Sequence, residues 1–179
     1  MTKLILLLFS MTLFSCGQKG AGETAAPITE VKKASTTTAP SFNADSAYAY
    51  VEKQVSFGYR VPNTPAHKAC GDYLVSELKR FGAQVYEQEA TLKAYDGTPL
   101  ESRNIIGSFN PDKDKRILLF AHWDTRPYSD HDPDPANHKK PLDGADDGAS
   151  GVGALLEIAR QMGMKAPEVG VDIIFFDAE

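Results

Sequence analysis

Two short apolar runs of this chain end in residue types that bind metal ions or transfer protons. His122 and Asp124 stand at the end of the first run, one residue apart, and Asp177 and Glu179 follow the second run with the same spacing. Side chains alternate between the two faces of a strand, so the members of each pair point to one side. Ligands of an open α/β sheet bind outside the carboxyl ends of its strands. The two pairs are therefore expected to meet in one crevice.

A turn of small residues between the two runs, Gly144 to Gly151, holds the adjacent acids Asp146 and Asp147. An aspartate at the start of a helix often caps the free N–H groups and complements the helix dipole. Only one of two adjacent acids can cap, and small neighbours let a cation and a substrate approach the backbone closely. We expect Asp147 to be a metal ligand and Asp146 to support the site. Together the three segments predict a metal-dependent enzyme.

Each strand-end pair also has a purely structural interpretation. His122 would be a buried histidine that Asp124 satisfies, and Asp177 and Glu179 would lie in a solvated turn after a strand. If the crevice forms, His122, Asp124 and Asp177 support the site by hydrogen bonding. Glu179 is then the candidate general acid/base, because it stands inside a site from which water is partly excluded.

Other candidate ligands are interpreted as structural. The acidic, proline-rich loop 128–140 contains His131 and His138, which we expect to be solvated or to belong to a lid, since prolines hold such a loop extended. His67 falls in the first turn of a predicted helix and is interpreted as a surface residue. Cys70 lies on the apolar face of that helix and is expected to be a buried structural thiol.

The apolar periodicity predicts an α/β protein. Helices are expected at residues 44–57, 64–82 and 148–162, the first with Ala47, Tyr48, Val51 and Val55 on its inward face. Residues 83–94 and 103–109 alternate as an antiparallel edge pair. The two continuous apolar runs, 116–121 and 171–176, are typical of strands covered on both faces, and the third helix joins them as a right-handed βαβ unit.

The first 42 residues are expected to lie outside the folded domain. Residues 1–16 have the lysine start, apolar centre and small-residue end of a bacterial signal peptide. Leu13 to Cys16 resembles a lipobox, which predicts that Cys16 is lipid-modified; the alternative is an ordinary signal peptide with a chance cysteine. Residues 17–42 have the composition of a flexible tether. We expect a protein of the bacterial cell envelope, lipid-anchored at the periplasmic or outer-membrane surface.

Charge and hydropathy limit the partners of the 179-residue chain. Its net charge of -5 argues against nucleic acid, because phosphate binding needs a basic face. No segment after the signal peptide is long and apolar enough to span a membrane.

The three chemical segments, in their order, resemble a known superfamily. His122-Trp-Asp124, the Gly-Ala-Asp-Asp147-Gly-Ala-Ser-Gly turn and Phe-Phe-Asp-Ala-Glu179 are similar to motifs of the co-catalytic zinc aminopeptidases and of their relatives, the glutaminyl cyclases. The stretch from His122 to Pro127, with Asp-His-Asp-Pro downstream, is more similar to the bacterial glutaminyl cyclases. The resemblance covers residues 43–179 and implies a three-layer α/β/α sandwich around a mixed, mostly parallel sheet.

The resemblance also implies a site and a reaction. Asp147 matches a zinc ligand and Glu179 the catalytic glutamate, whereas a second ligand directly after Glu179 and a later histidine are not in this sequence. We therefore expect residues 43–179 to be the N-terminal part of a longer domain, inactive alone, whose complete form binds one zinc ion. In the two-metal peptidases the histidine at the position of His122 binds a second zinc.

The activity implied is that of a glutaminyl-peptide cyclotransferase, which converts N-terminal glutamine of peptides or proteins to pyroglutamate and releases ammonia. A zinc-dependent aminopeptidase is the enzymatic alternative. A lipid-tethered binding protein without catalysis is the alternative from another class.

Overall fold

Three α-helices and four strands make up residues 38–179, the part of the chain that the computed structural model describes. The predicted signal peptide, Cys16 and nearly all of the predicted tether lie outside the described residues. None of the described helices is long and apolar enough to cross a membrane. In chain order the elements are α1 (Ala44–Val55), α2 (Pro65–Arg80), β1 (Gln84–Lys93), β2 (Pro99–Phe109), β3 (Arg116–His122), a short 3₁₀ turn (Pro135–Asn137), α3 (Ala149–Met164) and β4 (Gly170–Phe176).

Helix α2 begins and ends where the sequence predicts. The Thr64 hydroxyl accepts a hydrogen bond from the backbone N–H of His67 at 3.2 Å, and Pro65 occupies the first helical position. Gly82, just after the helix, has a φ of +89°, which glycine adopts without strain. Cys70 is fully buried, and burial raises its pKa to about 12, so the thiol stays protonated at neutral pH. The predicted structural thiol is confirmed.

Helix α1 packs against α3 with an inward face that differs from the predicted one. Ala47 and Val51 are partly buried as expected, but Tyr48 is 66% exposed and Gln54 is fully buried. The side-chain amide of Gln54 donates to the carbonyl of Ala149 at 3.1 Å. The inward position predicted for Tyr48 is wrong, because Tyr50, which packs against the core, and the hydrogen-bonded Gln54 continue the inward face instead.

The four strands form one mixed sheet in the order β1-β2-β4-β3. β1 and β2 form the predicted antiparallel hairpin, and β2 also pairs antiparallel with β4. β3 pairs parallel with β4, and α3 joins them, which confirms a β-α-β unit. The predicted α/β class is confirmed, with one parallel pairing among the three that the described strands make.

The described helices cover one face of this sheet. Ile173 and Phe175 of β4 share a single buried core with residues of α2 and α3, and Leu119 packs against it. On the opposite face, Leu118 and Phe120 are 54% and 65% exposed. The cover predicted for both faces of β3 is not found among the described residues, because none of the described elements packs on its outer face.

Candidate metal centre and active site

The ends of β3 and β4 and the start of α3 bring three metal-binding side chains together. His122 is the last residue of β3, Asp147 precedes the first turn of α3, and Glu179 follows β4 by three residues. The His122 Nε2 atom lies 2.9 Å from Asp147 Oδ1 and 3.6 Å from Glu179 Oε2. Residues predicted from three separate segments therefore meet, as the strand-end argument requires.

This group fits a zinc ion by its chemistry. His122, Asp147 and Glu179 each offer one ligand atom, and these atoms all lie within 4.8 Å of one another. An imidazole nitrogen and carboxylate oxygens are ordinary zinc donors. The side chains of Asp147 and Glu179 are 58% and 63% exposed, so an ion and a substrate can reach them from solvent.

The start of α3 leaves its acids free for this site. Neither Asp146 nor Asp147 caps the helix: the N-cap position is Gly148, and it carries no side-chain cap. Gly148 has a φ of +96°, and a Cβ there would lie 3.0 Å from His122 Cε1. Glycine at this position lets the helix start approach the end of β3. The alternative that Asp146 or Asp147 caps helix α3 is therefore wrong.

Asp124 anchors the backbone that carries Glu179. It is 3% exposed, and its Oδ1 accepts a long hydrogen bond of 3.4 Å from the backbone N–H of Glu179. The same oxygen lies 3.6 Å from His122 Nδ1. Burial, and then the charge of Asp177, raise the pKa of Asp124. Asp124 thus contacts the backbone of Glu179 and lies beside the His122 ring without a hydrogen bond to it, and its predicted supporting role stays a prediction.

Asp177 is buried against His67, a residue predicted to lie on the surface. The His67 Nε2 atom lies 2.8 Å from Asp177 Oδ1, and the His67 ring stacks on Trp123 with centroids 4.2 Å apart. His67 is only 6% exposed, so its prediction as a surface residue is wrong. The signal was its spacing: His67 precedes Cys70 by three residues and therefore lies on the buried face of α2.

The remaining candidate residues lie outside the three-residue group. Asp146 is exposed, and its predicted supporting role stays a prediction. In the loop 128–140, the His138 ring contacts the backbone carbonyl of Asp132 at 2.8 Å. Neither His131 nor His138 joins the metal-binding group found among residues 38–179.

A groove of about 600 Å³ opens beside Glu179. One wall is the β1–β2 turn, including Tyr95 and Asp96, and the other is the segment from Thr125 to Tyr128. Asp124 and Glu179 both line it, so the candidate catalytic carboxylate faces a cleft large enough for a peptide end.

Residues 104–179 match the model of Peptidase family M28. Among solved structures, the chain is 79% identical to a Zn-dependent exopeptidase from Parabacteroides distasonis, with a TM-score of 0.77, covering 78% of this chain and 48% of that one. It is 68% identical to Tannerella forsythia glutaminyl cyclase, with the same TM-score and coverage. It is 63% identical to Bacteroides thetaiotaomicron glutaminyl cyclase bound to N-acetylhistamine, with a TM-score of 0.75, covering 76% of this chain and 47% of that one.

The chain thus spans about half the length of the solved relatives that it matches. The family model covers all three chemical segments, and the structural likeness extends the match over about three quarters of the chain. Residues 104–179 thus match Peptidase family M28, and about three quarters of the chain is similar to bacterial glutaminyl cyclases and to a Zn-dependent exopeptidase.

Proposed function

We propose that the complete protein is a glutaminyl-peptide cyclotransferase that depends on one zinc ion. The observation that carries the proposal is the meeting of His122, Asp147 and Glu179 beside an open groove. The identity of 68% with a solved glutaminyl cyclase supports this choice of reaction. Its substrates are peptides or proteins that begin with glutamine.

Glu179 is the proton carrier in this mechanism. The α-amine nitrogen of the substrate attacks the carbon of its own side-chain amide, which closes the five-membered ring. Glu179 takes the proton that the amine loses and delivers it to the departing amide nitrogen, which leaves as ammonia. A bound zinc ion supplies a Lewis acid that polarises the amide carbonyl.

The other described side chains hold this arrangement in place. Asp147 is the zinc ligand from the start of α3. Asp124 holds the backbone of Glu179 through its N–H, and His122 keeps Asp147 oriented by a hydrogen bond at 2.9 Å. Asp177 fixes the turn between β4 and Glu179, since its carboxylate also accepts the backbone N–H of Ala178.

A zinc-dependent aminopeptidase is the second candidate. The 2.9 Å contact between His122 Nε2 and Asp147 Oδ1 favours it, because a bridging Asp147 would then have His122 beside it as a ligand of the second zinc. In that case Glu179 activates water and two zinc ions are bound. A tethered binding protein without catalysis is the third candidate, and it predicts neither cyclisation nor release of amino acids.

Two substitutions in the protein produced from its complete coding sequence test the proposal. Glu179→Gln should keep zinc and fold but lose about 10²- to 10⁴-fold in cyclisation rate, because general acid/base groups contribute that much. Asp147→Asn should lose zinc first and activity as a result. Asp114→Asn is the matched control, since Asp114 is exposed and lies before β3, at its opposite end.

Each variant is assayed with a glutaminyl peptide and with an aminoacyl chromogenic amide, and zinc is counted per chain. Unchanged turnover in Glu179→Gln on both substrates would remove the role proposed for this glutamate. Loss of zinc in Asp114→Asn as large as in Asp147→Asn would remove the assignment of Asp147.

We also propose that the protein is anchored in the bacterial cell envelope through lipid on Cys16. The support is the sequence alone: a signal-like start, a lipobox-like Leu13 to Cys16 and a polar segment 17–42 suited to a flexible tether. The domain would then meet its peptide substrates at the periplasmic or outer-membrane surface.

A further inference from the structure

Arg60 is a fully buried arginine in the segment between α1 and α2. Its guanidinium donates to the backbone carbonyls of Trp123 at 3.1 Å, Asp143 at 3.0 Å and Gly144 at 2.8 Å. A longer contact of 3.5 Å reaches the carbonyl of Gly58. One side chain thus connects three separate segments of the chain.

These hydrogen bonds hold a charge that has no carboxylate bonded to it among the described residues. Burial lowers the pKa of Arg60, and Cys70, Asp124 and Asp143 act on it only through space. Burying a charge without an ion-pair partner is costly, so it persists only where fixed dipoles replace water around it. The carbonyls that surround Arg60 are such dipoles.

Two of the segments that Arg60 joins carry the candidate metal site. Trp123 lies between His122 and Asp124, and its carbonyl is fixed by the guanidinium Nε. The Arg60 backbone adds a second link to this strand end, because its carbonyl accepts the N–H of Thr125 at 3.1 Å.

The other segment is the turn that leads into Asp147. Gly144 stands three residues before Asp147 and has a φ of +60°. A Cβ at Gly144 would lie 2.8 Å from the Arg60 guanidinium, so glycine allows the turn to close onto the arginine. The spacing between the two halves of the site is therefore set through one planar group with donors in fixed directions.

We propose that Arg60 is a positioning residue for zinc: it fixes the turn carrying Asp147 against the strand end carrying His122. The inference rests on the proposed function only for the assignment of Asp147 as a ligand. Lysine at this position offers one ammonium nitrogen in place of the planar fork, so it cannot reproduce the three separately directed hydrogen bonds to Trp123, Asp143 and Gly144.

The test compares Arg60→Lys and Arg60→Met with Arg116→Lys in the protein produced from its complete coding sequence. Arg116 is the matched control, because it also donates to backbone carbonyls, those of Asn110 and Pro111, but stands at the opposite end of β3. Zinc affinity is measured by competition with a chromogenic chelator, and unfolding by denaturant is measured on the same samples.

Arg60→Lys is expected to weaken zinc binding by about 10- to 100-fold, as loss of groups that orient metal ligands commonly does. Its kcat at saturating zinc should fall, while KM for a glutaminyl peptide stays within about twofold of the unchanged protein. Arg116→Lys should lower stability without changing zinc affinity. Arg60→Met should weaken zinc at least as much as Arg60→Lys.

The outcomes separate this inference from the proposed function. Unchanged zinc affinity in Arg60→Lys, or equal weakening in Arg116→Lys, overturns the role of Arg60. Failure of both Arg60 variants to fold with zinc present also overturns it, since Arg60 would then be required for folding and not for positioning. If zinc binding depends on Arg60 but the wild-type protein does not cyclise a glutaminyl peptide, only the proposed function is overturned. If the wild-type protein binds no zinc, both are overturned.

Discussion

Replacing His67 with phenylalanine should destabilise the fold by removing one donor from the buried carboxylate of Asp177. The side chain of Asp177 is fully buried. Its oxygens accept from the His67 ring at 2.8 Å, from the backbone N–H of Arg103 at 2.6 Å and from that of Ala178 at 2.9 Å. Phenylalanine keeps an aromatic ring against Trp123 and removes only the hydrogen bond.

The magnitude follows from the burial and charge of this contact. A hydrogen bond to a charged group contributes about 1.5–3 kcal/mol, and a buried carboxylate that loses a donor cannot recover it from water. Two backbone donors to Asp177 remain, so its carboxylate loses one of three hydrogen bonds and stays partly satisfied. We therefore expect His67→Phe to lower the free energy of unfolding by about 2–3 kcal/mol.

Urea unfolding of the wild-type chain, His67→Phe, Asp177→Asn and the double variant measures the coupling directly. The double-mutant cycle should give a coupling free energy of about 2 kcal/mol between the two side chains. A coupling below about 0.5 kcal/mol, within the error of additivity, would refute the argument that His67 stabilises the turn before Glu179.

Three further predictions concern the pH dependence of stability, the isolated chain and the membrane anchor. Hydrogen bonds from Arg160 lower the pKa of Glu157 from 4.5 to about 2. Glu157→Gln should therefore lower the free energy of unfolding by about 3 kcal/mol above pH 4.5, and this loss should vanish as the pH falls through about 2. Equal losses above pH 4.5 and below pH 2 in denaturant titrations would contradict this. The 179-residue chain alone should bind zinc weakly and show no turnover, because Asp147 alone cannot supply the three protein ligands that a catalytic zinc needs. Stoichiometric zinc after dialysis, or turnover, would contradict this. Cys16→Ser should move the protein from membrane to soluble fraction, and a variant that stays with membranes after normal signal cleavage would exclude the lipid anchor.

The sequence predicts those elements whose local signals agree with their packing. Thr64 and Pro65 start α2 and Gly82 follows its end, and each acts within its own turn, so neighbouring residues suffice to place the helix. The strand-end rule likewise places His122 and Glu179 at one edge of the sheet, because topology and not side-chain detail decides which ends meet.

The polar contacts that hold the site could not be predicted in this way. Arg60 bonds to carbonyls more than sixty residues away in the chain, and no periodicity identifies such a partner. His67 showed a signal in its spacing from Cys70, but a histidine on an apolar face is recognised as buried only when its partner is known. Gln54 occupies an apolar position for the same reason, since the carbonyl of Ala149 satisfies it across the helix interface.

The central claim is that Glu179 and the neighbouring metal site cyclise N-terminal glutamine. The most direct measurement is mass spectrometry of a glutamine-initiated peptide incubated with the protein produced from its complete coding sequence, with zinc counted per chain in the same sample. The account predicts loss of one ammonia from an otherwise intact peptide and one zinc ion per chain. Release of the free N-terminal amino acid by a protein that holds two zinc ions would contradict it.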